Sequence, residues 1–156
     1  MKVENLVEII TYNPNYKTNF IALNKAWLEE YFVVEPHDNE VFDNIETIVL
    51  QPGGEIFFCL INGEVAGTVA MQKVDATTFE LAKLAVDKKF QGQKLSNRLM
   101  EACIAFAKAK KATQIMLLSN RRLETALNLY LKYGFIEVPM KENDYARANI
   151  QMELNL

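Results

Sequence analysis

Residues 79 to 98, Phe-Glu-Leu-Ala-Lys-Leu-Ala-Val-Asp-Lys-Lys-Phe-Gln-Gly-Gln-Lys-Leu-Ser-Asn-Arg, constrain the fold more than any other stretch of the chain. An apolar run of strand composition, with Leu81, Leu84 and Val86, stops at Asp87. A polar loop from Lys88 to Lys94 follows, and an amphipathic helix begins near Leu95. A strand, a polar turn and a helix N-terminus make an anion site, because first-turn N–H groups have no intrahelical partner. Lys88, Lys89 and Lys94 add positive charge, so the expected ligand is a phosphate or pyrophosphate.

The same periodicities organise the rest of the chain. Leu6 to Thr11 alternates as a first strand, and residues 15 to 31 read as a helix with Phe20, Leu23, Trp27 and Tyr31 on one face. Pro36 is expected to stop its continuation, and 39 to 50 to form a second short helix closed by Pro52-Gly53-Gly54. Asn62-Gly63 between Glu55–Ile61 and Glu64–Lys73 is a hairpin signal, because both residues tolerate positive φ. Residues 78 to 86 continue the meander. Leu95, Leu99, Ala102, Cys103 and Phe106 lie on one helical face, Gln114 to Leu118 is a buried-type strand, and Leu123 to Tyr133 is a helix ended by Gly134. Phe135 to Val138 and Asn149 to Leu154 complete the order β-α-α-β-β-β-α-β-α-β-β.

Two motifs in this order resemble those of the GCN5-related N-acetyltransferases, the GNAT superfamily. Gln91, Lys94 and Ser96, with Gly92 between, stand where that family's acetyl-CoA pyrophosphate loop has Gln/Arg, Gly and Gly/Ala. Lys94 and Ser96 depart from the family pattern. Ser119-Asn120, then Ala126, Tyr130 and Gly134-Phe135, resemble the later family segment, with Leu123 where Asn is usual. The tail from Tyr145 through Arg147 to Met152, and the early Trp27 to Glu35, resemble one subgroup of the same family. The resemblance implies an α/β (α+β) fold over one domain of residues 1 to 156. Its mixed, mostly antiparallel sheet of about seven strands is flanked by helices, with central parallel strands splayed at the acetyl-CoA site.

It also implies roles. Acetyl transfer to an amine needs a held thioester, a polarised carbonyl, a proton acceptor for the amine and a proton donor for the leaving thiolate. Tyr130 is the expected acid, with core packing as its alternative role. Glu80, on the strand feeding the loop, is the base candidate, and an ion pair with Lys73, Lys83 or a neighbour is the alternative. By strand alternation Lys83 belongs on the opposite face from Glu80. Backbone groups of Leu84, Ala85 and Val86 would meet the pantetheine, with a bulge near Ala85 polarising the carbonyl. Gln91, Gly92, Gln93, Lys94, Leu95 and Ser96 would cradle the pyrophosphate. Asn120 would reach the cofactor or cap a turn. Trp27, Tyr31, Glu35 and Asp38 are acceptor-side candidates for a cationic amine, or a solvated helix end, and Arg147 could meet a carboxylate.

Composition excludes other classes. The net charge of −3 gives no footprint for nucleic acid. One histidine, His37 in a loop-like segment, rules out a histidine-rich metal site, and no cysteine pair has zinc spacing. Cys59 and Cys103 are expected as buried thiols in a cytoplasmic protein, Cys103 being a poor nucleophile on a buried helix face. No apolar run approaches the ~20 residues that span a bilayer, and Met1-Lys-Val-Glu-Asn lacks a secretory h-region. The expected activity is acetyl transfer from acetyl-CoA, without a metal or a covalent acyl-enzyme, to an amine on a small molecule or peptide. A homodimer is compatible with it. The rivals are a non-catalytic acyl-CoA-binding sensor or interaction module, and a DNA-linked regulator that would need a partner protein.

Overall fold

The computed structural model describes residues 5–156; Met1 to Glu4, part of the segment read against a secretory leader, lies outside them. Seven strands form one sheet in the order β1-β2-β3-β4-β5-β7-β6. They are β1 Val7–Ile10, β2 Glu55–Ile61, β3 Glu64–Lys73, β4 Thr78–Val86, β5 Gln114–Ser119, β6 Ile136–Val138 and β7 Ile150–Asn155. The β4–β5 pair is parallel, and the other pairs are antiparallel. Four α-helices, α1 Lys17–Tyr31, α2 Pro36–Asp43, α3 Leu95–Ala109 and α4 Glu124–Lys132, complete the expected element order.

Strands β2 and β3 read as unbroken apolar runs because both of their faces are covered. Phe57, Cys59 and Ile61 pack with Val69, Met71, Leu99 and Cys103 beneath α3. The alternate residues Ile56, Phe58, Leu60 and Ala70 pack with Phe20, Leu28, Val41 and Phe42 of α1 and α2. Side chains of period two thus divide one sheet between two cores. The Asn62-Gly63 turn has φ of +49° and +82°, and pairs Ile61 with Glu64 as the hairpin signal required.

Local departures have physical causes. Helix α1 turns Phe20, Asn24 and Leu28 fully inward, so its buried face lies one residue beyond the expected stripe and Tyr31 is exposed. Asn24 is tolerated there because its amide donates to the Phe20 carbonyl and accepts from the Trp27 indole. Pro36 does not merely end a helix; it opens α2 at the first position, where its missing N–H costs nothing. The expected helix over 39 to 50 is therefore two pieces, α2 and a π-helical segment Glu46–Leu50, and His37 sits on α2 rather than in a loop. Phe135 belongs to the core and not to a strand. Both cysteines are buried free thiols, and burial pushes each thiol's pKa up.

Candidate active site

Parallel pairing between β4 and β5 stops early. Thr78, Phe79 and Glu80 face Gln114, Ile115 and Met116, and no pair follows. Strand β5 instead continues beside β7 as far as Ser119, and β4 continues beside β3 as far as Val86. The two strands part, leaving the β5-side backbone edge of Leu84 to Val86 without a strand partner. A cavity of about 890 Å³ opens in the gap. Every residue assigned a catalytic or cofactor role from sequence lines it except Gln93, which is exposed.

One end of the cavity is a helix N-terminus. After Asp87, a 3-10 turn Lys88–Phe90 leads through Gly92 at φ +82° to Lys94 at φ +58°, and α3 begins at Leu95. No side-chain cap serves the first turn of α3 among the described residues. Its amide groups therefore stay available to an anion. A Cβ on Gly92 would meet nothing within 4 Å, so the glycine is required by its φ and not by crowding. The loop lysines differ. Lys88 pairs with Glu30 and Lys89 with Glu64, whereas exposed Lys94 has no acidic partner among the described residues.

Tyr130 is placed by the end of α4. Phe135 N–H donates to the Tyr130 carbonyl at 3.0 Å and Gly134 N–H to the Leu131 carbonyl at 3.0 Å. With Gly134 at φ +97°, this is a Schellman closure, and its apolar contact is the Tyr130–Phe135 ring pair at 5.9 Å. The Tyr, Gly and Phe spacing is thus a device for holding one ring. Tyr130 is only 7% exposed, yet its hydroxyl has no hydrogen-bond partner among the described residues. Because every enclosed side-chain polar atom described has a partner, this hydroxyl opens to the cavity. Burial, with Cys103 nearby, pushes its pKa up, so the phenol keeps its proton at neutral pH.

Glu80 faces the cavity from the α1–α2 side. Burial pushes its carboxyl pKa up, against the pull of His37 and Lys83, and no hydrogen bond holds it among the described residues. Lys83 does not lie on the opposite face as alternation requires. Ala82 pairs with Ala70 and Ala85 with Thr68, so Lys83 and Leu84 together oppose Val69 in a bulge. Lys83 adopts φ +58°, which costs an L-residue about 1–2 kcal/mol, and turns its ammonium toward α2. The bulge thus lies before Ala85, and it brings Lys83 to Glu80's side.

Beyond them lies a buried ion network. Asp38, wholly buried, accepts from Lys83, from both terminal nitrogens of Arg147 at 2.7 Å, and from the Glu35 N–H at 2.8 Å. Glu35 accepts from the N–H groups of Ala146 and Arg147 and from the Arg147 guanidinium. Burial alone would raise the Asp38 pKa, but Arg147 and Lys83 hold it down to about 2. Glu35 and Asp38 are therefore neither a solvated helix end nor free to meet a cationic amine. Arg147 is likewise occupied. The Tyr145 hydroxyl lies 3.3 Å from the Lys83 ammonium, and its ring 4.4 Å from the Arg147 guanidinium.

The family model of the Acetyltransferase (GNAT) family matches residues 5–135. The chain belongs to this family. Among solved structures, an acetyltransferase of the GNAT family from Staphylococcus aureus Mu50 superposes with a TM-score of 0.87 at 23% identity, over 96% of this chain and 99% of that one. A GNAT family acetyltransferase from Elizabethkingia anophelis, solved with acetyl-CoA bound, has a TM-score of 0.69 at 21% identity, over 96% and 98%. At such identities the likeness shows the fold. An N-acetylaspartate synthetase of Danio rerio is 30% identical over 102 residues, 64% of this chain and 36% of that protein. The chain thus spans about a third of that relative's length. At the level of the family, the activity is acyl transfer.

Within this GNAT fold, Asn120 is a turn residue first. Its side chain accepts from the Arg122 N–H at 2.8 Å and donates to the Arg147 carbonyl at 2.7 Å, tying the end of β5 to the chain before β7. Trp27, Tyr31 and Arg147 line the cavity, as do Arg122 and Tyr145, which sequence reasoning assigned no role. Arg122 donates to the Tyr31 carbonyl at 3.1 Å and lies over the Phe32 ring. The one sequence sign of the ion network was a lysine inside an apolar strand, Leu81-Ala82-Lys83-Leu84, which must find an internal partner. No described helix is long and apolar enough to cross a membrane.

Proposed function

We propose that this GNAT protein transfers the acetyl group of acetyl-CoA directly to an amine on a small molecule or peptide. The observation that carries the reading is the cavity opened where β4 and β5 part. It joins the uncapped N-terminus of α3 to Tyr130 and Glu80. Acetyl-CoA supplies the acyl group as a thioester. The N–H groups of the Gln91 to Ser96 loop and first turn would take the pyrophosphate, joined by Lys94, which has no acidic partner among the described residues. Gln93 would contribute its backbone alone. Asn120, with its amide engaged in the turn, would border the cofactor rather than grip it.

The unpartnered edge of Leu84, Ala85 and Val86 would carry the pantetheine and direct an N–H at the thioester oxygen. Glu80 would take the proton of the acceptor ammonium. A carboxyl raised by burial lies closer to the operating pH than a free one, which favours that transfer. Tyr130, kept protonated by burial, would give its proton to the departing sulfur. The second nitrogen proton, shed as the tetrahedral adduct collapses, would restore the Tyr130 phenol, and Glu80 would return its proton to solvent. The products are an amide and a free thiol, with no covalent acyl-enzyme. Cys103 is buried with its thiol pKa pushed up, which leaves little thiolate.

The decisive experiment couples calorimetry to a thiol-release assay over a panel of amines and short peptides. CoA should bind in the micromolar range, about −8 kcal/mol, and at least one amine should release thiol from acetyl-CoA. Absence of CoA binding at millimolar concentration overturns the reading. Binding without thiol release from any amine would leave an acyl-CoA-binding module.

A further inference from the structure

Among the described residues four non-glycine positions have positive φ: Asn62, Lys83, Lys94 and Lys111. Three lie in a turn, at a helix start or just after a helix. Lys83 alone lies inside a strand, in the middle of β4. A lysine gains nothing locally from this conformation, so something outside the strand must hold it. The holding contact is visible. The Lys83 side chain is buried, its ammonium bonds Asp38 of α2, and it reaches the Tyr145 hydroxyl at 3.3 Å. The Phe42 and Tyr145 rings flank it, with centroids 5.4 and 4.8 Å from the ammonium.

Asp38 is itself immobilised by Arg147 and by the Glu35 N–H, and Glu35 binds the backbone of Ala146 and Arg147. The bulge is therefore fastened to α2 and to residues 145–147 at once. From the bulge onward, Leu84, Ala85 and Val86 turn a backbone edge without a β5 partner to the cavity. A bulge changes which backbone and side-chain groups a strand presents.

We infer that Lys83 is a positioning residue: its ion pair with Asp38 holds the β4 bulge and so sets where the Leu84–Val86 edge meets the acyl donor. This rests on the acetyl-transfer reading above. Lys83 is not asked to touch substrate or to move a proton.

The test compares Lys83→Met with Lys83→Gly in the whole protein. Met keeps the stem and the cost of a positive φ but loses the ammonium that holds it there. Gly loses the ammonium too, yet takes φ +58° without cost. For Lys83→Met, turnover should fall on the order of 10²-fold, as expected for a small misplacement of reacting groups. Its CoA affinity, set at the α3 end, should stay within a few-fold of wild type. Lys83→Gly should recover most of the lost turnover. In the ligand-free protein, backbone NMR couplings at residue 83 should report positive φ in wild type and in Lys83→Gly, and an extended value in Lys83→Met.

Equal losses in the two variants would mean that the ammonium acts directly, and would overturn the inference. So would wild-type turnover in Lys83→Met. If either variant fails to fold, Asp38→Asn keeps the side-chain shape and removes the charge. It should show the same fall in turnover at unchanged CoA affinity, and no change in turnover there overturns the inference. A wild-type protein that releases no thiol removes both this inference and the reading beneath it. Failure of the variants alone removes only this one.

Discussion

The two ends of the cavity are built on opposite principles. The end at α3 is made of backbone: a short loop with two positive-φ residues, an uncapped first turn, and one exposed lysine without an acidic partner among the described residues. Its parts are neighbours in sequence. The end at α1 and α2 is made of side chains that meet from far apart. Asp38 meets Lys83 across 45 positions and Arg147 across 109, and Glu35 meets Ala146 across 111. A backbone anion site can stay open to water until a ligand arrives, because solvated amides cost little. A buried carboxylate cannot wait in this way and must be paired within the fold. The α3 end can therefore be loose and the α1–α2 end must be rigid.

Breaking the rigid end should have the largest effect. Arg147→Met takes the cation from Glu35 and leaves Asp38 with Lys83 alone, and should lower unfolding free energy in urea by about 3–5 kcal/mol. CoA affinity of the folded fraction should be little changed. A loss below about 1 kcal/mol, the level of an exposed pair, would show that the network does not hold the α1–α2 end together.

Tyr130 lies between the two ends, and its substitution separates chemistry from folding. Tyr130→Phe keeps the ring and its contact with Phe135 and removes a hydroxyl that has no partner among the described residues. Turnover should fall about 10²-fold or more, with the melting temperature nearly unchanged. An activated thioester, whose leaving group needs no proton, should shrink the loss. Wild-type turnover in this variant, measured where chemistry limits the rate, would remove Tyr130 as the acid.

The two carboxylates beside Lys83 should give opposite pH slopes. Asp38 falls from an ordinary 3.8 to about 2 in the fold. Its contribution, about 2 kcal/mol by linkage, is present above pH 4 and lost as pH falls toward 2. Glu80 is raised by burial, so the folded state holds its proton longer than the unfolded chain does. Stability owed to Glu80 therefore declines as pH climbs from the unfolded value through the folded one. Asp38→Asn should flatten the acid limb of a urea-stability curve. Glu80→Gln should hold or improve stability at pH 7–8 while lowering turnover, with activity returning as the amine deprotonates unaided at high pH. A Glu80→Gln protein that is destabilised at pH 8 would contradict this account of the site.

The backbone-built end should respond least. Gly92→Ala places a side chain at φ +82° with room around it, so the cost is conformational, about 1–2 kcal/mol. It should appear as weaker CoA binding in calorimetry. Lys94→Ala should weaken CoA only at low salt, because an exposed charge is screened. If Lys94→Gly binds more tightly than wild type, the side chain obstructs the anion and does not serve it.

The sequence alone determined the element order, the hairpin at Asn62-Gly63, the strand-loop-helix around Gly92 and the helix end at Gly134. Each rests on residues within about ten positions of one another, where backbone preference and apolar periodicity act directly. The family resemblance pointed to Tyr130 and Glu80 on the same local grounds. Tertiary structure decided the rest. Alternation put Lys83 on the wrong face because a bulge adds one residue to a strand, and its cause, Asp38, lies on another element. Glu35 and Asp38 looked like a solvated helix end because their partners stand far off in sequence, Lys83 45 positions from Asp38 and Ala146 and Arg147 more than 100 positions away. Asn120 became a turn brace once the Arg147 carbonyl reached it. Local sequence sets what a segment prefers, whereas the pairing of buried charges is set by which segments the fold brings together.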